Sequence, residues 1–154
     1  MLRSLSLLAT ALLATATLSA QAGDITVSDP YARAVPPGQP NSAVFMTLVN
    51  SSKENRALVA AETPSAGVVE LHTHINEGGM MKMRKVDKID IPAGQTVTLK
   101  PGGLHVMLIG LKEPLEPGKE VHMNLIFDKG GKEHIMAPVR AIAPPMAPMA
   151  PMAH

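Results

Sequence analysis

Two segments of this chain bring histidine and methionine together at spacings that could bind a metal. The first is Leu71-His72-Thr73-His74, followed by Asn76-Glu77-Gly78-Gly79 and then Met80-Met81-Lys82-Met83. Asn-Glu-Gly-Gly is turn chemistry, so the flanking residues read as the two arms of a β-hairpin. A hairpin centred between Glu77 and Gly78 would set His72 opposite Met83 and His74 opposite Met81. Opposed residues of an antiparallel pair have Cβ atoms about 4.5–5.5 Å apart, close enough for an imidazole and a thioether to share one ion. The two-residue period of a strand also sends His72, His74, Met81 and Met83 to one face.

The second segment is Leu104-His105-Val106-Met107, delivered by the turn Pro101-Gly102-Gly103. His105 and Met107 stand two residues apart and so share a face. Neutral, soft thioether sulfur selects Cu(I) over harder divalent ions, and imidazole adds a stronger donor that tolerates copper. Zinc would more usually draw on Cys, His and carboxylate, and an oxygen-seeking ion on carboxylates that this set of His and Met donors lacks. Methionine sulfur is not protonated in the accessible range, whereas histidine must be neutral to bind, so Cu(I) binding is expected to weaken only partly in acid. For each methionine alone, core packing is the simpler account, since Met is a common filler of β-sandwich interiors.

The surrounding elements are short. Between residues 24 and 140, β-like runs alternate with turn signals, and no stretch keeps a 3.6-residue period long enough for a packed helix. The expected strands are Ile25–Ser28, Ala43–Val49, Arg56–Ala61, Gly67–Ile75, Met80–Val86, Thr96–Lys100, His105–Ile109, Val121–Phe127 and His134–Val139. Nine strands at this spacing predict an all-β Greek-key sandwich. With no Trp, one Tyr and two Phe, the core must come mainly from Val, Leu, Ile, Ala and Met.

The ends differ in composition. Residues 1–22 carry Arg3, an apolar run from Leu5 to Leu18 and the small-x-small sequence Ala20-Gln21-Ala22, the pattern of a secretory signal peptide cleaved before Gly23, with a cut after Ala20 as the alternative. The domain is expected over 23–140, and residues 141–154 read as a disordered Met/Pro-rich tail. There Pro-Met-Ala repeats three times before His154. In polyproline II, Met146, Met149 and Met152 would line one edge about 9 Å apart, so the tail would gather copper only by bending.

Export and the chain's composition narrow the function. An exported chain could form disulfides, but there is no Cys, which excludes a blue-copper centre, a Cys nucleophile and thiol-disulfide chemistry. Loss of Arg3 with the leader brings the 14 Lys and Arg level with the 13 Asp and Glu, so nothing supports nucleic-acid binding. No later segment could cross a bilayer, so no membrane insertion is expected after processing.

The spacing His72, ten residues, Met83, twenty-one residues, His105, one residue, Met107 resembles the His-x10-Met-x21-His-x-Met signature of the periplasmic PCuAC-type copper chaperones. The flanks Val69-Glu70-Leu71-His72, Met81-Lys82-Met83-Arg84, Ile91-Pro92-Ala93-Gly94 and Leu99-Lys100-Pro101-Gly102-Gly103 are similar too, and the likeness spans roughly residues 24–139. The resemblance implies a cupredoxin-like sandwich. It further implies a periplasmic, non-enzymatic carrier that holds Cu(I) with His72, Met83, His105 and Met107 and hands it on by ligand exchange. The target it implies is the copper centre of cytochrome c oxidase. Partners would be copper-donating or copper-accepting periplasmic proteins, among them oxidase subunit II or its assembly factors.

His74, Met81, His122, His134, Met146, Met149, Met152 and His154 lie outside the signature and are candidate secondary donors, with Cu(II) as a second cargo at such a site. For His122 and His134, a surface position on an edge strand is the simpler account. Three other functions remain open: a copper enzyme, a storage or resistance buffer using the Met-rich tail, and an adhesion module that binds no metal. An oxidative polysaccharide-cleaving enzyme would need an N-terminal His, which processing here does not leave. A carrier should hold one or two ions tightly and a buffer several weakly.

Overall fold

Alternation along Asn41–Asn50 (β2) sets the centre of the fold: Val44, Met46 and Leu48 are buried in the main core, while Phe45 and Ala43, on the opposite face, are buried as well. Both faces of β2 are covered, and it lies inside its sheet with β8 and β1 as neighbours. The computed structural model describes residues 23–142; the expected leader and the repeat from Pro145 onward lie outside them. The described residues form ten strands: β1 (Ile25–Arg33), β2, β3 (Arg56–Glu62), β4 (Ala66–Glu77), β5 (Met80–Val86), β6 (Ile89–Ile91), β7 (Thr96–Leu99), β8 (His105–Leu111), β9 (Glu120–Phe127) and β10 (Lys132–Arg140), with one 3-10 turn at Asp128–Gly130.

One layer runs β5-β4-β8-β2-β1, with β7 pairing farther along β2, and the other runs β10-β9-β3-β6. The layers join where β1 and β10 pair in parallel, Ala32 beside Val139. Strands remote in sequence are neighbours in space, β8 between β4 and β2 and β9 between β10 and β3, as expected of a cupredoxin-like Greek-key sandwich. Leu71, Val106 and Leu108 from the first layer meet Leu58, Ile89, Ile91, Val121, Met123 and Leu125 from the second in one core. Each fully buried aliphatic side chain contributes roughly 1.5–3 kcal/mol, so this interior stands without disulfides.

Three details depart from the expectation. β1 continues past Ser28 to Arg33, through Pro30, because the chain bulges there: the register with β2 shifts between Ser28 and Tyr31, and Asp29 takes a φ of 46°. Pro30 donates no hydrogen bond, and a bulge is where a strand tolerates that. β6, Ile-Asp-Ile, is too short to stand out by periodicity, yet it pairs with β3 and buries both isoleucines.

The third departure is the hairpin register. Gly78 and Gly79 both take positive φ, 62° and 83°, so the two-residue turn is Gly78-Gly79 and not Glu77-Gly78. Two successive positive φ angles suit glycine, whereas a Glu there would meet a Cβ clash. Asn76 Oδ1 accepts from the Gly79 N–H at 3.0 Å and closes the turn. As a result His74 faces Met83, Asn76 faces Met81, and His72 faces Lys85. A shift of two positions keeps every side chain on its face, so the shared face of His72, His74, Met81 and Met83 survives.

Candidate metal centre

The face opposite the core on the first layer gathers the sequence's donors. β4 lies against β8 with His72 directly opposite His105 and Glu70 opposite Met107. On the other side of β4, β5 presents Met83 to His74. The imidazole centroids of His72 and His74 lie 5.7 and 5.3 Å from that of His105. Met83 is diagonal to His72, a separation of about 7–8 Å that a long side chain spans.

The turn before β8 orients two of the rings. Gly103 N–H donates to Lys100 carbonyl at 3.0 Å, and Gly102 takes a φ of 81°, which aims the Gly103 carbonyl at the histidines. Nδ1 of His105 lies 3.0 Å from that oxygen and Nδ1 of His74 lies 3.2 Å from it. A carbonyl only accepts, so both rings carry the proton on Nδ1 and keep the Nε2 lone pair for another partner.

His72 is arranged the other way round. Its Nε2 donates to Glu70 Oε2 at 2.8 Å, and its Nδ1 is buried with no hydrogen-bond partner. Buried polar atoms are seldom left unpaired, and an orphaned imidazole nitrogen whose other nitrogen is anchored to a carboxylate fits a metal ligand. Lys85 Nζ reaches the second oxygen of Glu70 at 3.2 Å. The hydrogen bonds from His72 and then Lys85 hold the Glu70 carboxyl below the usual carboxylate range, so it is ionised at neutral pH.

His105 is 3% exposed. Burial pushes its imidazole below the ordinary value; the Gly103 carbonyl opposes this, and the like charges of His74, His72 and Arg33 reinforce it. The neutral, metal-competent form is thereby favoured. Phe45 packs beside His105 with ring centroids 6.3 Å apart, backed by Tyr31 at 5.3 Å and capped by the Arg33 guanidinium at 5.7 Å.

A cleft of about 240 Å³ opens over this face, lined by His74, Met83, His105 and Met107, with Ala43 and Phe45 also in its wall. His72 does not line it; it stands beside His105 on the neighbouring strand. Among the described residues no three His, Cys, Asp or Glu side chains converge as a metal-binding group, and the thioethers of Met83 and Met107 border the same cleft as His74 and His105. Met83 is 49% exposed, and Met81, opposite Asn76 and 59% exposed, is one step further from the rings.

His122 and His134 are exposed; β9 lies between β10 and β3 and so is not an edge strand, whereas β10 meets β1 only at Val139 and Arg140, which leaves His134 on an edge stretch bordered by β9 alone. The candidate donors Met146, Met149, Met152 and His154 lie outside the described residues. The sequence assigns no supporting role to Glu70, Gly103 or Phe45: Glu70 stands there only as a flank of His72 and Gly103 only as part of the turn before β8. Glu70 had a signal, being a carboxylate two positions before His72 on the same face. Phe45 had another, being an aromatic that alternates with the core residues Val44 and Met46.

A family model described as LpqE-like, for lipoproteins, matches residues 25–139. That description speaks for an exported protein, and no helix among the described residues is long and apolar enough to cross a membrane. The chain is 33% identical over 121 residues to protein Lxx21020 of Leifsonia xyli subsp. xyli, covering 78% of this chain and 72% of that one. It is 37% identical over 89 residues to protein RP573 of Rickettsia prowazekii, of which it spans about half (49%) and which covers 57% of this chain. Among solved structures, Cu(I)-bound DR1885 of Deinococcus radiodurans superposes with a TM-score of 0.65 at 41% identity, covering 80% of this chain and 83% of that one. The copper-bound PCuAC domain of PmoF2 superposes with a TM-score of 0.67 at 28% identity, covering 78% of this chain and 95% of that domain. With its matched span running from β1 to β10, the chain belongs to the LpqE-like family and has the fold of the PCuAC domains.

Proposed function

We propose that the protein is a periplasmic copper chaperone that holds Cu(I) with His72, Met83, His105 and Met107 and releases it by ligand exchange. The reading rests on the buried, unpartnered Nδ1 of His72 beside His105, whose own Nδ1 is committed to Gly103 and whose Nε2 is therefore available. Met83 and Met107 add the soft donors that prefer Cu(I). Copper-bound forms among the similar PCuAC structures support the same cargo.

A carrier needs a donor that lets go, and exposed Met83 serves that role. Its thioether leaves, a ligand of the acceptor replaces it, and the ion moves toward the tighter site with no substrate bond broken. The chain is thus a carrier and not an enzyme. The acceptor in this reading is the copper centre of cytochrome c oxidase, reached directly or through an assembly factor. His74, opposite Met83 and bonded to the same carbonyl as His105, is the waiting donor that steadies copper as Met83 departs.

The test is a Cu(I) titration of the mature protein against a competing chelator, with His72→Ala and His74→Ala in parallel. His72→Ala should weaken binding at least about 100-fold and His74→Ala less than about tenfold. Equal affinity of His72→Ala and wild type would overturn the assignment, and the larger loss in His74→Ala would give its place to His74. Exposed Met80, Met81 and Met136 favour a second reading, a copper buffer. Several weakly held Cu(I) ions per chain in the same titration would select it.

A further inference from the structure

The second layer repeats part of the same pattern. His134-Ile135-Met136 on β10 has the His-x-Met spacing of His105-Val106-Met107 on β8, and each lies antiparallel to a strand that contributes another histidine. On β10 the register sets Met136 directly opposite His122 of β9, with His134 opposite Asn124 and therefore diagonal to His122. Val121, Met123, Ile135 and Ala137 enter the core, so alternation sends His122, His134 and Met136 outward together.

The two imidazoles are already neighbours, with centroids 5.7 Å apart and planes inclined by 24°. Thr63 Oγ1 donates to the His122 carbonyl at 2.7 Å, which ties the backbone there to the β3–β4 connection and leaves the ring to solvent. Met136 is 54% exposed, an apolar side chain that does not pack in the core.

We propose that His122, His134 and Met136 form a second copper site, which takes Cu(II). Two imidazoles supply the main donors, and among divalent first-row ions Cu(II) binds such nitrogen sites most strongly. Opposed and diagonal positions on adjacent strands put the donors within reach of one ion. Near-parallel rings do not aim their nitrogens at one point, so binding requires rotation about the side-chain torsions. Exposed rings rotate readily, and water fills the remaining positions. Met136 is a weak donor to Cu(II), so the two imidazoles carry the affinity and the thioether only borders the ion. The site lies on the opposite outer face of the sandwich from His105 and shares no donor with the first one, so it does not depend on the Cu(I) assignment.

The experiment adds substoichiometric Cu(II) to the full mature chain, in wild type and in His105→Ala, and follows the broadening of assigned imidazole and methionine methyl signals. In both proteins His122, His134 and Met136 should broaden before His72, His74 and Met107. His122→Ala and His134→Ala should each weaken Cu(II) binding at least about tenfold while keeping wild-type Cu(I) affinity, which also shows that they are folded. Broadening first at β4 and β8 or beyond residue 142, or unchanged Cu(II) affinity in both alanine variants, would overturn the site. Loss of Cu(I) binding in His105→Ala with Cu(II) broadening intact separates the fate of this site from that of the first.

Discussion

The outer faces of the two layers carry the same short spacing, His105-x-Met107 and His134-x-Met136, in opposite surroundings. On the first layer the histidine is buried, its Nδ1 is bonded to Gly103, Phe45 lies against it and Glu70 anchors the histidine across the strand pair. On the second layer the rings stand in solvent, stacked on each other. The difference teaches that donor spacing creates an opportunity, while supporting contacts decide how rigidly the donors are held. Pre-oriented ligands bind tightly and discriminate; freely rotating ones lose part of their affinity to ordering.

Removing the central ring should have the largest effect. His105→Ala is expected to abolish Cu(I) binding at chelator-limited concentrations, a loss of more than about 100-fold, while leaving Cu(II) at His122 and His134 unchanged. Because the ring is buried among packed neighbours, urea unfolding should also show a loss of about 2 kcal/mol. His134→Ala should do the reverse on the metal side and leave the unfolding midpoint almost unmoved. Equal stability losses in the two variants would remove the contrast between an embedded face and an open one.

Next in size is the carboxylate behind His72. Glu70→Ala leaves the Nε2 proton of His72 without its acceptor, and an outer partner of this kind accounts for about 10- to 100-fold in metal affinity. Cu(I) affinity should therefore fall by about tenfold, with no change at β9 and β10. Wild-type affinity in Glu70→Ala would mean that the ring is oriented by packing alone.

Acid should separate the faces further. His105 resists protonation in the folded chain, so the unfolded chain takes up a proton first as pH falls below about 6.5. The unfolded state then binds more protons than the native one, and apo-protein stability declines from that point down to the depressed native value. The urea midpoint of wild type should fall between about pH 7 and pH 5, whereas His105→Gln, with no titrating ring there, should fall less. Parallel curves would show that His105 is not responsible. The thioethers do not titrate, so Cu(I) should be lost over a broad acid range; complete loss in one step at the ordinary histidine range would count against Met83 and Met107 as ligands.

Much of this was legible in the sequence, and the exceptions have physical causes. Period-two alternation correctly assigned the faces, because side-chain direction depends only on strand parity. Register depends on turn geometry, and choosing Glu77-Gly78 over Gly78-Gly79 moved Met83 from His74 to His72. The error preserved parity, so it changed the partner without changing the face. β1 beyond Ser28 was hidden by Pro30, which reads as a stop unless a bulge is recognised, and β6 by its length. The interior position of β9 depends on which strands meet in space, which local pattern does not specify.

The hairpin register makes the finest distinction, and two conservative substitutions read it. With Gly78-Gly79 as the turn, Met83 lies opposite His74 and borders the cleft, whereas Met81 lies opposite Asn76 and outside it. With the turn one residue earlier, Met81 would oppose His74 and stand nearer the rings. Met83→Leu removes sulfur but keeps bulk and should weaken Cu(I) by about tenfold or more, because the remaining thioether is left to serve two imidazoles. Met81→Leu is a surface exchange worth no more than about 0.5 kcal/mol, so its Cu(I) affinity should stay within about twofold of wild type. A loss in Met81→Leu matching that in Met83→Leu would place both sulfurs on the ion and require the hairpin to slip by two residues when copper binds.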